Sequence, residues 1–241
     1  LGARRREHEE FFSKKISVHY KKLCQERVLC YIIIMNHSRL DQLSDSIFAI
    51  VMTILVFQIE IPVIWGPVTN QELWKEVQNL LPVALAYILS FALLFTYWRA
   101  HHFFVSVYAK TVDLKLTNIN ALFFMLISLV PFSASILGQY NENELSVIIF
   151  GVHIILIGLT LYWMRHYVIY SPHIENPEIS KREIHGSTIR TLAPVVFALI
   201  AIPLCFYSIP LSLVLFTLAV IFNLTSYSTR LFERLFGGEE K

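Results

Sequence analysis

Six long apolar runs, separated by short polar stretches, constrain this chain more than anything else in it. They span residues 40–64, 80–104, 116–137, 145–164, 189–207 and 210–227. A bilayer's hydrocarbon core takes about 20 residues of helix to cross, and inside it every backbone amide needs a partner from its own segment. Each run can cover that core as a helix, with the fifth near the lower limit. The short break at Ser208-Ile209-Pro210 between the last two is a tight turn, because proline lacks an amide hydrogen and suits the first position of a helix. The expected class is an all-α integral membrane protein with six transmembrane helices. Apolar residues make up 55% of the 241, more than a soluble domain of this length carries, which agrees.

Charge placement orients the bundle. With both termini cytoplasmic, nineteen of the twenty Lys and Arg fall on the inner side and only Lys75 lies outside; the outer loops carry Glu72, Glu76, Glu142 and Glu144. This is the positive-inside pattern. Trp65, Trp98, Tyr140, Trp163 and Tyr167 sit near the ends of the runs, where aromatic belts form. The net charge of +2 does not point to nucleic acid, and Cys24, Cys30 and Cys205 have no spacing that makes a disulfide framework. Residues 1–34 form a basic N-terminal tail with Arg4-Arg5-Arg6, Lys14-Lys15 and Lys21-Lys22, and the chain begins at Leu1 while Met35 precedes the first run. The tail is read as a non-native or upstream extension; an interfacial segment resting on anionic lipid is the other reading. The membrane domain is expected over 35–233, with a short C-terminal tail at 234–241.

The first run carries most of the chemistry. It opens Ser38-Arg39-Leu40-Asp41-Gln42-Leu43-Ser44-Asp45. Ser38 and Asp41 have the spacing of a capping box at a helix start, and Asp41 suits the positive end of the helix dipole. Asp45 lies a turn further in, where a charge is costly unless paired. Arg39 and the histidines of the next run are its candidate partners; the plainer reading is a carboxylate within reach of headgroups. Further along, Ile47, Ile50, Ile54, Phe57 and Ile61 follow steps of three and four and so share one helix face. Facing lipid, that stripe means nothing special. Facing a pore, its branched side chains would make a constriction that gates by dewetting, with the Thr53 hydroxyl nearby as an ion contact.

The second run ends Tyr97-Trp98-Arg99-Ala100-His101-His102, and the third begins Leu116-Thr117-Asn118-Ile119-Asn120. Adjacent residues on a helix diverge by about 100°, so His101 and His102 do not share one ion. No second His/Cys cluster accompanies them, and His166, His173 and His185 are scattered, so no metal site is expected. Hydrogen bonds from His101 or His102, Trp98 and Asn120 to the Arg39/Asp45 end of the first helix are the preferred reading, as glue between helices. Phosphate loops, GxSxG and deep paired carboxylates are absent, and no enzyme is expected.

At this point a family becomes recognisable. Arg39-Leu40-Asp41-Gln42-Leu43-Ser44-Asp45 resembles the RxxxFSD signature of the transmembrane protein 175 family, with Leu43 where the family has Phe. Trp98 with His101-His102 resembles its W-x-N-H-H stretch, with Ala100 for Asn. Asn120, followed by Pro131-Phe132, resembles its third helix, with Asn118 where Trp is common. The specific part of the likeness covers about residues 39–138. It implies a potassium-permeable channel subunit, with single-repeat relatives in prokaryotes and hence a prokaryotic plasma membrane. The first helix would line a central pore with no re-entrant filter loop. The narrow point would fall at Ile50, with Ile54 and Phe57 on the same face and Thr53 touching the ion. A single repeat implies a homotetramer, with K+ as permeant ion and no cofactor. A proton- or cation-coupled secondary transporter is the alternative.

Overall fold

The computed structural model describes residues 37–60, 68–174 and 181–224. The tails at 1–34 and 234–241, with Cys24, Cys30, Ile61, Trp65 and the end of the sixth run, lie outside the described residues. The described residues are helical: α1 (His37–Ile54) with a 3-10 turn at Leu55–Gln58, α2 (Asn70–Asn79), α3 (Leu81–His102) with a π turn at Phe103–Tyr108, α4 (Leu114–Ser128), α5 (Val130–Gln139), α6 (Glu144–Tyr170), α7 (Lys181–Leu204) and α8 (Ile209–Leu224).

Five spans are long and apolar enough to cross a bilayer: Ser38–Gln58, Leu81–Tyr108, Leu114–Gln139, Glu144–Tyr170 and Glu183–Leu204. The apolar α8 is shorter, at 16 residues. At 1.5 Å per residue, α6 is about 40 Å long, enough for hydrocarbon and both interfaces. The chain is an integral membrane protein.

Several boundaries differ from the sequence reading for local reasons. The second span continues past Phe104 because the π turn carries it to Tyr108. The third span is two helices, broken at Leu129. Pro131 has no amide hydrogen and cannot complete the ladder across that point, so α5 starts anew with proline in its first turn. The fifth begins before Ile189, since Glu183 to Thr188 extends the helix. The connection between the first two spans contains α2, closed by a capping box. The Thr69 side chain accepts from the Glu72 amide, and the Glu72 carboxylate accepts from the Thr69 amide at 2.9 Å. Those bonds hold the Glu72 carboxyl below its usual range.

The helices pack side by side. α6 lies against α7, α7 against α8, α4 and α5 against α6, and α3 against α5 and α8, while α1 leans on α3 and α4. Glycines set the closest approaches. A Cβ on Gly151 would stand 2.8 Å from Ile202 Cγ1, and one on Gly158 would stand 2.4 Å from Val195 Cγ2. Both pairs are seven residues apart on antiparallel helices, so two knobs of α7 enter two gaps on α6. Lipid tails are as apolar as these side chains, so close contact rather than water exclusion holds the pair together. At Gly138 the limit is the backbone of α3, with Val83 Cα 2.9 Å from where a Cβ would be.

Gly138→Val therefore should destabilise the protein most, by about 1–3 kcal/mol from overpacking, because backbone cannot step aside. Gly158→Ala should cost less, since Val195 is a side chain. Thermal unfolding of the purified protein in detergent measures both; equal midpoints for Gly138→Val and the parent would show that α3 and α5 are not in backbone contact.

Candidate functional site

The first helix presents two faces with different fates. Leu40, Ser44, Phe48, Val51 and Leu55 follow steps of four, four, three and four, and all are buried. On the far side Leu43, Ile50, Ile54 and Phe57 stay exposed, Ile50 at 56% and Phe57 at 72%. The 3-10 turn keeps Phe57 beneath Ile54, because residues three apart eclipse in that geometry. Thr53 is also on the exposed side, and its hydroxyl is turned back onto the carbonyls of Ala49 and Ile50 at 2.9 and 2.8 Å.

What fixes the rotation of α1 is a polar seam along its buried side. Ser44 Oγ lies 3.0 Å from His101 Nδ1, and His101 Nε2 lies 2.6 Å from Asn120 Oδ1. Asn120 donates through Nδ2 to the Leu116 carbonyl at 2.8 Å. That bond fixes which end of the amide is which, so Oδ1 accepts and His101 Nε2 carries the hydrogen. Nδ1 of the neutral ring then accepts from the Ser44 hydroxyl. One imidazole thus links α1, α3 and α4. It is 1% exposed and stacks on Phe123 at 5.2 Å and 5°, with Phe48 and Phe124 nearby.

Two more bonds flank it. The Trp98 indole donates to Asp45 Oδ1 at 2.8 Å, and the same indole stacks on His102 at 6.0 Å. Ser106, on the π turn, donates to Asp41 Oδ1 at 2.6 Å and lies 3.0 Å from His102 Nδ1. Since the single hydroxyl hydrogen goes to the carboxylate, His102 Nδ1 donates to Ser106. At the other end of α1, Gln58 Nε2 donates to the Pro131 carbonyl.

The sequence reading chose Ser44, Asp45, Trp98, His101, His102 and Asn120, and the structure brings all six together around α1. Arg39 is exposed and stands apart from these bonds. The capping-box expectation for Ser38 and Asp41 does not hold: the helix already runs from His37, and Asp41 turns to Ser106. Ser106 was missed, although its place four residues after His102 was the available signal. Missed also were the Tyr167 hydroxyl on Asp113 Oδ2 and the bond from His153 to the Leu126 carbonyl at 2.9 Å. Among the described residues no three His, Cys, Asp or Glu side chains converge as a metal site would need.

A family model described as endosomal/lysosomal potassium channel TMEM175 matches residues 39–131, the stretch that contains this seam from Asp41 to the Pro131 carbonyl. Over that stretch the chain is similar to the TMEM175 family. Among similar proteins, one named a potassium channel from Chamaesiphon minutus is 28% identical over 192 residues, covering 78% of this chain and 94% of the relative. One named a potassium channel from Streptomyces collinus is 26% identical, covering 74% and 87%. The chicken relative, named an endosomal/lysosomal proton channel TMEM175, is 26% identical over 76% of this chain but only 37% of its own length. The crystal structure of a TMEM175 homolog from Chamaesiphon minutus superposes with a TM-score of 0.65 at 24% identity, covering 78% of this chain and 95% of that one, and the fold is the same. Within the TMEM175 pattern Leu43, where Phe is usual, is an exposed side chain at 47% and takes no part in the seam.

Ser44→Ala should leave Nδ1 of a buried imidazole without a donor and cost about 1–3 kcal/mol. Asp45→Asn, which still accepts from Trp98, should cost less than Asp45→Ala. Detergent melting curves give both comparisons; an unchanged midpoint for Ser44→Ala would remove His101 as the clamp on α1.

Proposed function

We propose that this chain is one subunit of a potassium-permeable cation channel, a homotetramer whose four copies of α1 line a central pore. The single observation that carries this reading is the division of α1. One face is clamped by hydrogen bonds, and the opposite face, with Ile50, Ile54 and Phe57, is left uncovered by the described helices. A rotationally fixed helix with an uncovered apolar stripe is what a closed cyclic assembly needs at its axis. Four such stripes would form an apolar constriction that conducts when wetted. Ile50 is the proposed narrow point, with Ile54 and Phe57 in line. Thr53 is the proposed ion contact, and Arg39, Ser44, Asp45, Trp98, His101, His102 and Asn120 make up the motif and network that hold the helix.

The remaining architecture goes with this reading: six transmembrane helices with α8 as the sixth, no re-entrant filter loop, both termini cytoplasmic, and a prokaryotic plasma membrane, as in the bacterial relatives named potassium channels. Conduction is passive, without cofactor. Secondary transport fits less well, because the middle of the described spans lacks the acidic residues that coupling uses. A second reading, proton conduction, is favoured by the names of the animal relatives.

Purified protein in a planar bilayer, with potassium on one side and sodium on the other, should give unitary currents reversing toward the potassium potential. Ile50→Asn should raise leak or alter selectivity severalfold, because a polar side chain lowers the barrier to wetting. Unchanged unitary current in that variant would remove Ile50 as the constriction. A reversal potential that follows the pH gradient alone would assign the current to protons. Saturable flux without unitary currents would replace the channel with a carrier.

A further inference from the structure

A cavity of about 490 Å³ opens between the end of α3, its π turn, the middle of α6, the start of α7 and the end of α8. All of this lies at the end of the bundle where α1 begins, away from the α1 stripe. Its walls are of two kinds. Phe103, Phe104, Leu161 and Pro194 form an apolar part. Arg99, Arg190 and Tyr108 form a polar part, with the carboxylate Glu183 also at the rim. Behind the wall is a third guanidinium: Arg165, 2% exposed, donates from Nε to Ser187 Oγ at 2.9 Å and from Nη2 to the Ile184 carbonyl.

Among the described residues, three guanidiniums stand against one carboxylate at this end of the cavity. The second observation is independent of charge. Tyr108 is 5% exposed, lines the cavity, and its hydroxyl has no hydrogen-bond partner among the described residues. A buried hydroxyl without a partner costs free energy, and such groups are rare unless something completes them.

We propose that this cavity holds the phosphate headgroup and first acyl carbons of an anionic phospholipid. Arg99 and Arg190 face the phosphate, the Tyr108 hydroxyl donates to one of its oxygens, and the chain lies along Phe103 and Pro194. Basic pockets between transmembrane helices on the side rich in Lys and Arg take such headgroups, and the apolar half gives a tail a place that free phosphate cannot use. The volume suits a headgroup and part of a chain. Nothing here depends on what the protein conducts, because the readout is binding.

The test is native mass spectrometry of the full chain in detergent, with phosphatidylglycerol or phosphatidylcholine of identical acyl chains. Phosphatidylglycerol should be retained over phosphatidylcholine, and Arg190→Gln should lower that retention about fivefold, the effect of one basic residue near a charged lipid. Tyr108→Phe should also lower retention without lowering the melting midpoint, since it removes only a hydroxyl. Equal retention of the two lipids, or full retention in Tyr108→Phe, would overturn the proposal. Displacement of bound phosphatidylglycerol by inorganic phosphate would overturn it as well, by showing a site for the free anion.

Discussion

The His101 ring has no water to turn to. At 1% exposure, stacked on Phe123 and bordered by Phe48 and Phe124, it must find both its donor and its acceptor within the protein. It finds Ser44 on α1 and Asn120 on α4, and Asn120 is in turn anchored to the Leu116 carbonyl. In an apolar surrounding each of these bonds has few alternatives, so the three helices are held at one relative rotation. The outward direction of Ile50, Ile54 and Phe57 follows from that rotation.

Hydrogen bonds at both ends of α1 support the clamp. Asp41 with Ser106 and Asp45 with Trp98 act near its start, and Gln58 with the Pro131 carbonyl near its end. The last depends on the break in the third span: α5 restarts at a proline, and the bend there brings its first carbonyls within reach of the turn after α1. The helices behind are held differently. Between α6 and α7, Gly151 and Gly158 admit Ile202 and Val195 in a contact of shape, and the polar bonds of this pair, from Arg165 to Ser187 and the Ile184 carbonyl, lie beyond it at one end. The protein thus joins a polar seam that sets rotation to an apolar seam that sets distance.

The two ends of the bundle also differ in kind. One carries α2, with its capping box and no buried residue. The other collects Arg99, Arg165, Arg190 and Tyr108 around a cavity with apolar walls. That end coincides with the side to which the charge pattern assigns the cytoplasm, and an anionic lipid is the chemistry complementary to it.

Hydropathy alone determined that the chain crosses a membrane and roughly where, because an apolar run of about twenty residues has no other low-energy backbone solution in lipid. The residues of the seam were also legible, since polar groups inside apolar runs are costly and few. Their pairing was not. Spacing does not say that His101 rather than His102 reaches Ser44, that Asp41 serves Ser106 rather than a helix cap, or that Arg39 stays out, because each depends on the rotation of one helix against another. The partners of Gly151 and Gly158 and the cavity beside Tyr108 were equally out of reach, since they join residues far apart in the chain. Periodicity gave α1 an apolar stripe, but only packing decided that this stripe is the uncovered face: the alternate stripe, Leu40, Ser44, Phe48, Val51 and Leu55, is the one with neighbours to bury it.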